Sequence, residues 1–248
     1  CGLALFAAQG PAIAAALLAV FNQMLFVQAR VAMLDIGVLA FSLLAIAAFL
    51  FSVRQRRPQL LFAAAGVAFG LAVACKWSGL FPLLTALLIV GLIKLLQHWQ
   101  TSFGDAEPTD WYQPEQWPGL RWLHILLCFG VLPTLVYLAT FIPLHGLSIS
   151  TIAEAQRRIF ADSITTAIAG HTYMSAWPTW PLLVRPVWFL FDKTSDRDIA
   201  AIVLLGNPLV LWPAVLALAV CVRDFVAARS AAAFLILAFF LGCYLPWA

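Results

Sequence analysis

Long apolar runs alternate along the chain with short polar interruptions, and most of the runs are of membrane-crossing length. Residues 1–9 read as the end of a span beginning upstream of Cys1, and Gly10-Pro11 as a turn that places Pro11 at a first helical position. Pro11–Ala29, Met33–Val53, Leu60–Cys75, Gly79–Leu96, Trp122–Leu144, Gly206–Val222 and Ser230–Trp247 then predict successive spans, since roughly 20 apolar residues cross a bilayer. Two longer polar stretches interrupt them. Gln97–Arg121, with Asp105, Glu107, Asp110 and Glu115, reads as an ordinary solvated connection. In His145–Leu205, Thr151–Ala169 predicts a helix lying in the headgroup plane: Ile152, Ala155, Ile159 and Ile168 offer a partial apolar stripe, and Gln156, Arg157, Arg158 and Asp162 a polar face. The pattern predicts an all-α polytopic membrane protein in three parts, 1–144, 145–205 and 206–248.

Composition agrees. Hydrophobic residues make up 64% of the chain and charged residues 10%, against about 25% charged in soluble domains. The mean hydropathy is +0.96. A net charge of +3 gives no reason to expect a nucleic-acid partner, and five scattered cysteines without a CxxC pair predict neither a disulfide framework nor a structural zinc site. No repeat of transporter type is visible. The Arg54/Arg56/Arg57 cluster and the Arg223/Arg229 turn fall on one side of the membrane, taken as cytoplasmic. Parity says more. Arg30–Asp35, Lys76-Trp77, His171 and Tyr244–Trp247 are separated by even numbers of crossings, so these polar islands share the opposite, non-cytoplasmic face.

Charges near membrane depth are expensive, and are paired, solvated or functional. Arg30 alone reads equally as a snorkelling helix-end residue; together with Asp35 it points to function. Lys76 by itself is an interfacial anchor, but its face makes it a candidate phosphate contact. Arg157 and Arg158 read as headgroup contacts. The densest chemistry is His171–Pro186, where His171, Tyr173, Ser175 and Arg185 can bond anionic oxygens and Trp177 and Trp180, with Trp188 just beyond, can cover a sugar face or a prenyl tail. Its prolines cannot continue a helix through lipid, so the stretch belongs at a membrane surface or a wet cavity. Asp192–Asp198 reads as a solvated turn. Asn207 either starts a helix or reaches back into the cavity.

Gln28-Ala-Arg30…Met33-Leu-Asp35, Lys76-Trp77-Ser78-Gly79, His171-Thr-Tyr173-Met-Ser175…Trp180-Pro181…Arg185-Pro186 and Gly206-Asn207-Pro208, in this order, resemble the protein O-mannosyltransferases, most closely their bacterial relatives, phospholipid-carrier-dependent glycosyltransferases with a GT-C membrane fold. Many eukaryotic members read His-Pro-Tyr where this chain has Thr172. The resemblance implies a GT-C-type helical bundle in a bacterial inner membrane with its site facing outside. It implies an inverting transferase that moves a sugar, mannose in the first instance, from a polyprenyl- or dolichyl-phosphate carrier to an acceptor, Ser or Thr of a secreted protein or a glycan. Arg185 and His171 are then the first choices for the carrier phosphate, with Arg30 and Lys76 behind them; Asp35 orients Arg30 or contacts sugar hydroxyls. The family's Asp-Glu motif, thought to supply the base, is expected upstream of Cys1, which would leave this stretch inactive alone. No cofactor and no metal are implied, and a dimer is compatible with the assignment. The competing readings are a GT-C transferase acting on lipid or glycan, as an aminoarabinose transferase does, and a lipid-linked-sugar flippase.

Overall fold

The computed structural model describes residues 1–104, 110–169, 175–193 and 199–248. It is a helical membrane protein, with a small β-hairpin among the described residues. The short α1 (Gly2–Phe6) precedes α2 (Gln9–Val20) and α3 (Gln23–Arg30), which meet at a 54° bend. The single span expected over Pro11–Ala29 is therefore broken. Asn22 is the cause: its side-chain oxygen accepts the Met24 amide at 3.1 Å and caps a new helix.

Next come α4 (Leu34–Ser52), α5 (Gln59–Cys75) and, after a tight turn at Trp77–Gly79, α6 (Leu80–Phe103). The expected Trp122–Leu144 span is an irregular rod: α7 (Trp122–Ile125), a π-helical stretch Leu126–Val131, α8 (Leu132–Ala139) and α9 (Ile142–His145). Pro133 has no amide to offer Phe129 and its ring would strike that carbonyl, so the turn before it widens. The helix expected in the headgroup plane is α10 (Ile149–Ala169); α11 (Pro208–Ala228) and α12 (Ala231–Tyr244) follow. Among the described residues, four segments are long and apolar enough to cross a membrane alone, and the bent α2–α3 pair makes a fifth; α5 and the stretch containing α12 are apolar but shorter.

The core lies where α4, α5, α6 and the irregular rod meet. Phe129, in the π-helical stretch, packs its ring 5.6, 5.2 and 5.8 Å from Phe49, Phe62 and Phe69, all fully buried. Lipid tails are as apolar as these side chains, so close packing rather than water exclusion holds such helices together, each ring pair adding about 0.5–1.5 kcal/mol. Gly66 and Gly70, four residues apart on α5, allow that approach: a Cβ on Gly70 would lie 2.8 Å from the Pro133 carbonyl oxygen, and one on Gly66 would collide with that of Cys128.

Two expectations change. Gln97–Arg121 is a solvated connection only in part: α6 continues to Phe103, residues 101–104 and 114–116 are exposed, 105–109 lie outside the described residues, and Asp110, Trp111, Trp117 and Leu120 are buried. Trp111 stacks on Phe234 with ring centres 4.0 Å apart, Trp117 donates to the Trp111 carbonyl at 2.6 Å, and Gly119 donates to the Val53 carbonyl at 3.0 Å. The buried Asp110 carboxylate pairs with Arg229 and accepts from the Tyr112 hydroxyl at 3.0 Å. Burial first, and then that carboxylate, raises the Tyr112 phenol above its usual range. This segment ties the α4–α5 turn to the α11–α12 turn.

The second correction is in 145–205, read as helix plus irregular loop. Beyond α10 it forms an antiparallel hairpin, β1 (Val187–Lys193) and β2 (Ile199–Leu204), in register from Val187 opposite Leu204 to Lys193 opposite Ile199, with an irregularity at Trp188/Leu190. Aromatic residues dominate the first five positions of β1, and half of β2 is β-branched, as pleated structure favours. Asp192 and Lys193 thus end a strand; the remainder of the expected turn, 194–198, lies outside the described residues.

Candidate active site

A cavity of about 550 Å³ opens where α3, the start of α4, the segment after Ser175, the hairpin base, α11 and α12 converge. Its polar lining groups include Gln28 from α3, Asp35 from the first turn of α4, and Ser175, Trp180 and Arg185 from the Pro-rich segment. Most of the remaining lining is apolar, with Leu211, Val215 and Leu218 from α11 and Phe240 from α12. The cavity suits a molecule with an anionic head and a hydrocarbon tail.

Local structure explains how the polar lining arises. Asp35 sits at a helix N-terminus, where the backbone dipole favours a carboxylate. It pairs with Lys76 Nζ at 2.8 Å. Both side chains are partly exposed, at 36% and 46%, so the pair contributes roughly 0–1 kcal/mol of stability and mainly sets orientation. Trp180 Nε1 donates to Ser175 Oγ at 3.1 Å, and Tyr244 donates to the Trp177 carbonyl at 2.6 Å. Edge-on contacts of Trp180 with Tyr244 and Trp247, at 6.3 and 5.9 Å, lean the segment on the end of α12 and the turn after it. Leu183 takes a left-handed backbone, φ 56°, in the turn that brings Arg185 to the cavity. Such strain is tolerated where surroundings impose it, and collects at functional sites.

The expected residues fare differently. Asp35, Ser175, Trp180 and Arg185 come together at one cavity, and Lys76 joins through its pairing with Asp35. Arg30 is exposed, with its guanidinium 5.8 Å over the Phe26 ring, and Asp35 orients Lys76 rather than Arg30. Helix geometry accounts for this: Gln28 faces the cavity, and a residue two positions on points roughly 200° away. Asn207 accepts the Leu209 amide at 3.0 Å as the cap of α11, so of its reading the helix start is what the structure holds. His171 and Tyr173 lie outside the described residues. Gln28 stands in a sequence motif without an expected role, and Met24 is not singled out by the sequence; the two line the cavity four residues apart on one face of α3. That spacing was the available signal. Among the described residues no group of three His, Cys, Asp or Glu is placed to hold a metal ion.

Comparison with known proteins now decides the family. Residues 7–145 match the family described as dolichyl-phosphate-mannose-protein mannosyltransferase, and residues 148–237 match the C-terminal four-transmembrane region of protein-O-mannosyltransferase. The chain belongs to this mannosyltransferase family. It is 25% identical over 290 aligned positions to a polyprenol-phosphate-mannose–protein mannosyltransferase of Mycolicibacterium smegmatis, covering 94% of this chain and 54% of the relative. A protein of the same name from Mycobacterium tuberculosis is 26% identical over 218 positions, covering 74% of this chain and 40% of the relative. The chain thus spans about half the length of the curated relatives it matches. No solved structure matches it. Both matched mannosyltransferase regions contribute to the cavity: α3 and α4 from the first, the Pro-rich segment, the hairpin and α11 from the second.

Proposed function

We propose that the chain forms the carrier-binding part of a membrane mannosyltransferase, which moves mannose from a polyprenyl-phosphate to a Ser or Thr hydroxyl of a protein. The reaction takes place on the non-cytoplasmic face of a bacterial inner membrane. The observation that carries this reading is one cavity lined both by Arg185 and Asp35, the latter paired with Lys76, and by the hydrocarbon side chains of α11.

Glycosyl transfer with inversion forms a bond from the acceptor oxygen to the anomeric carbon as the bond to the phosphate oxygen breaks. The transition state is oxocarbenium-like, and negative charge grows on the departing phosphate. Donors fixed on that phosphate lower the barrier because they gain strength as the charge develops. Arg185 offers two parallel N–H bonds and Lys76 a point charge; His171 and Tyr173 join them in this reading. The Trp180 face covers the sugar, and Asp35 holds Lys76. The base that takes the acceptor proton is not assigned to any residue of this chain.

The test is transfer by the full-length protein reconstituted with polyprenyl-phosphate mannose, glucose or aminoarabinose, and with a Ser/Thr peptide as acceptor. Mannosyl-peptide is the expected product; sugar delivered only to lipid would end the protein-acceptor reading. Lys76→Ala is expected to slow transfer about tenfold, equivalent to about 1.4 kcal/mol, and Asp35→Asn by less, measured as kcat/KM for the carrier. For topology, single cysteines at Ser78 and Ser175 should label with an impermeant maleimide from outside and one at Gln55 should not. Labelling of Ser78 and Ser175 from opposite sides would break the shared-face argument.

The broken α2–α3 pair is a feature that a lipid-linked-sugar flippase would share. Transport of the carrier without peptide glycosylation in the same assay would favour that second reading.

A further inference from the structure

The described residues hold a second cavity, which the proposed transfer chemistry does not use. It has a volume of about 240 Å³ and lies between the end of α5, the Trp77 turn, α8 and α10. Val73, Leu80, Leu83 and Pro133 make its walls apolar. Its polar groups form a directed chain. Trp77 Nε1 can only donate, and it does so to the Tyr137 hydroxyl at 2.9 Å. That hydroxyl donates in turn to Gln156 Oε1. Thr134 has given its own proton to the Gly130 carbonyl at 2.8 Å.

This chain fixes which way the Gln156 amide points. Oε1 faces Tyr137, and Nε2 is left buried with no partner among the described residues. A buried donor without an acceptor costs free energy that an incoming acceptor would recover. No Lys or Arg lines the cavity, so a phosphate or carboxylate would enter without a counter-charge. A neutral carbonyl attached to hydrocarbon satisfies both the donor and the walls. The space is smaller than the roughly 300–1,000 Å³ of ordinary small-molecule pockets, so it takes part of a chain rather than a whole molecule. Gln156 projects from α10, the helix whose pattern suits the headgroup plane, and ester carbonyls lie just beneath that plane.

We propose that this cavity binds the acyl ester of a membrane lipid. The carbonyl oxygen accepts from Gln156 Nε2, and the upper methylenes of that chain pack on Val73, Leu80 and Leu83. The site does not depend on the transferase reading, and its test does not measure transfer.

The experiment uses full-length protein in phosphatidylglycerol nanodiscs doped with a phosphatidylglycerol probe carrying a diazirine high in one chain. The probe is joined to glycerol by an ester in one arm and by an ether in the other. After irradiation, the ester probe is expected to label the 73–83 segment about fivefold more than the ether probe, the size of effect one hydrogen bond provides. Gln156→Leu should abolish that preference. Equal labelling by both probes in the unmodified protein overturns the proposal, as does an ester preference that survives Gln156→Leu. Labelling by neither means that the cavity holds only water, and overturns it too. The comparison of linkages in the unmodified protein stands even if the variant fails to insert.

Discussion

Arg185→Ala in the full-length protein is expected to lower mannosyl transfer by about 10²–10³-fold, the loss seen when one preorganised donor to a developing oxyanion is removed. Expression and membrane insertion should be unchanged, because Arg185 is an exposed residue at the cavity and no part of the buried core. The fall should appear in kcat more than in KM, since the guanidinium gains most as the phosphate takes up charge. Arg185→Lys should recover only part of the rate: an ammonium restores charge but not the paired N–H geometry. Single-turnover measurement with polyprenyl-phosphate mannose checks this, and unchanged turnover in Arg185→Ala would remove the residue from the site.

The second large effect concerns the scaffold. Gly66→Leu is expected to destabilise the protein by about 3 kcal/mol or more, at the upper end of overpacking costs. A Cβ there collides with the Cys128 carbonyl in the π-helical stretch, and a backbone carbonyl cannot swing aside as a side chain can. Separating α5 from that stretch would also loosen the Phe129 cluster. Thermal unfolding in detergent reads the loss. Gly91→Leu is the control, because a Cβ at Gly91 meets nothing within 4 Å. Equal stability of the two variants would show that the α5 glycines are not what sets this contact.

Most of the helical framework was legible because lipid imposes one simple demand on sequence, a run of apolar residues long enough to hide its own backbone bonds. What escaped depended on partners distant in the chain. Asn22 is a single polar residue in an apolar run, and its capping of α3 leaves little trace in a hydropathy pattern. Trp111 and Trp117 looked like members of a wet loop because Phe225 and Phe234, which they pack with or near, come more than a hundred positions later. The hairpin was concealed by the polar residues around its turn, although Val187–Phe191 has strand-like composition.

At the cavity, Asp35, Lys76 and Arg185 stood out as charges in a chain that has few, and parity placed the first two on one face. Parity gives the face and not the neighbour. It could not say that Asp35 would choose Lys76 over Arg30, a choice set by the direction in which each helix ends.

If the chain binds a carrier as proposed, the Asp35–Lys76 contact bears on release as well as on capture. An anion arriving at Lys76 meets an ammonium that already has a companion 2.8 Å away, so its welcome is partial. A spent carrier, with its phosphate bare and more negative than before, would otherwise cling hardest just when it must leave. In that reading, sharing the ammonium with a tethered rival would soften the grip and leave the berth open for the next loaded carrier.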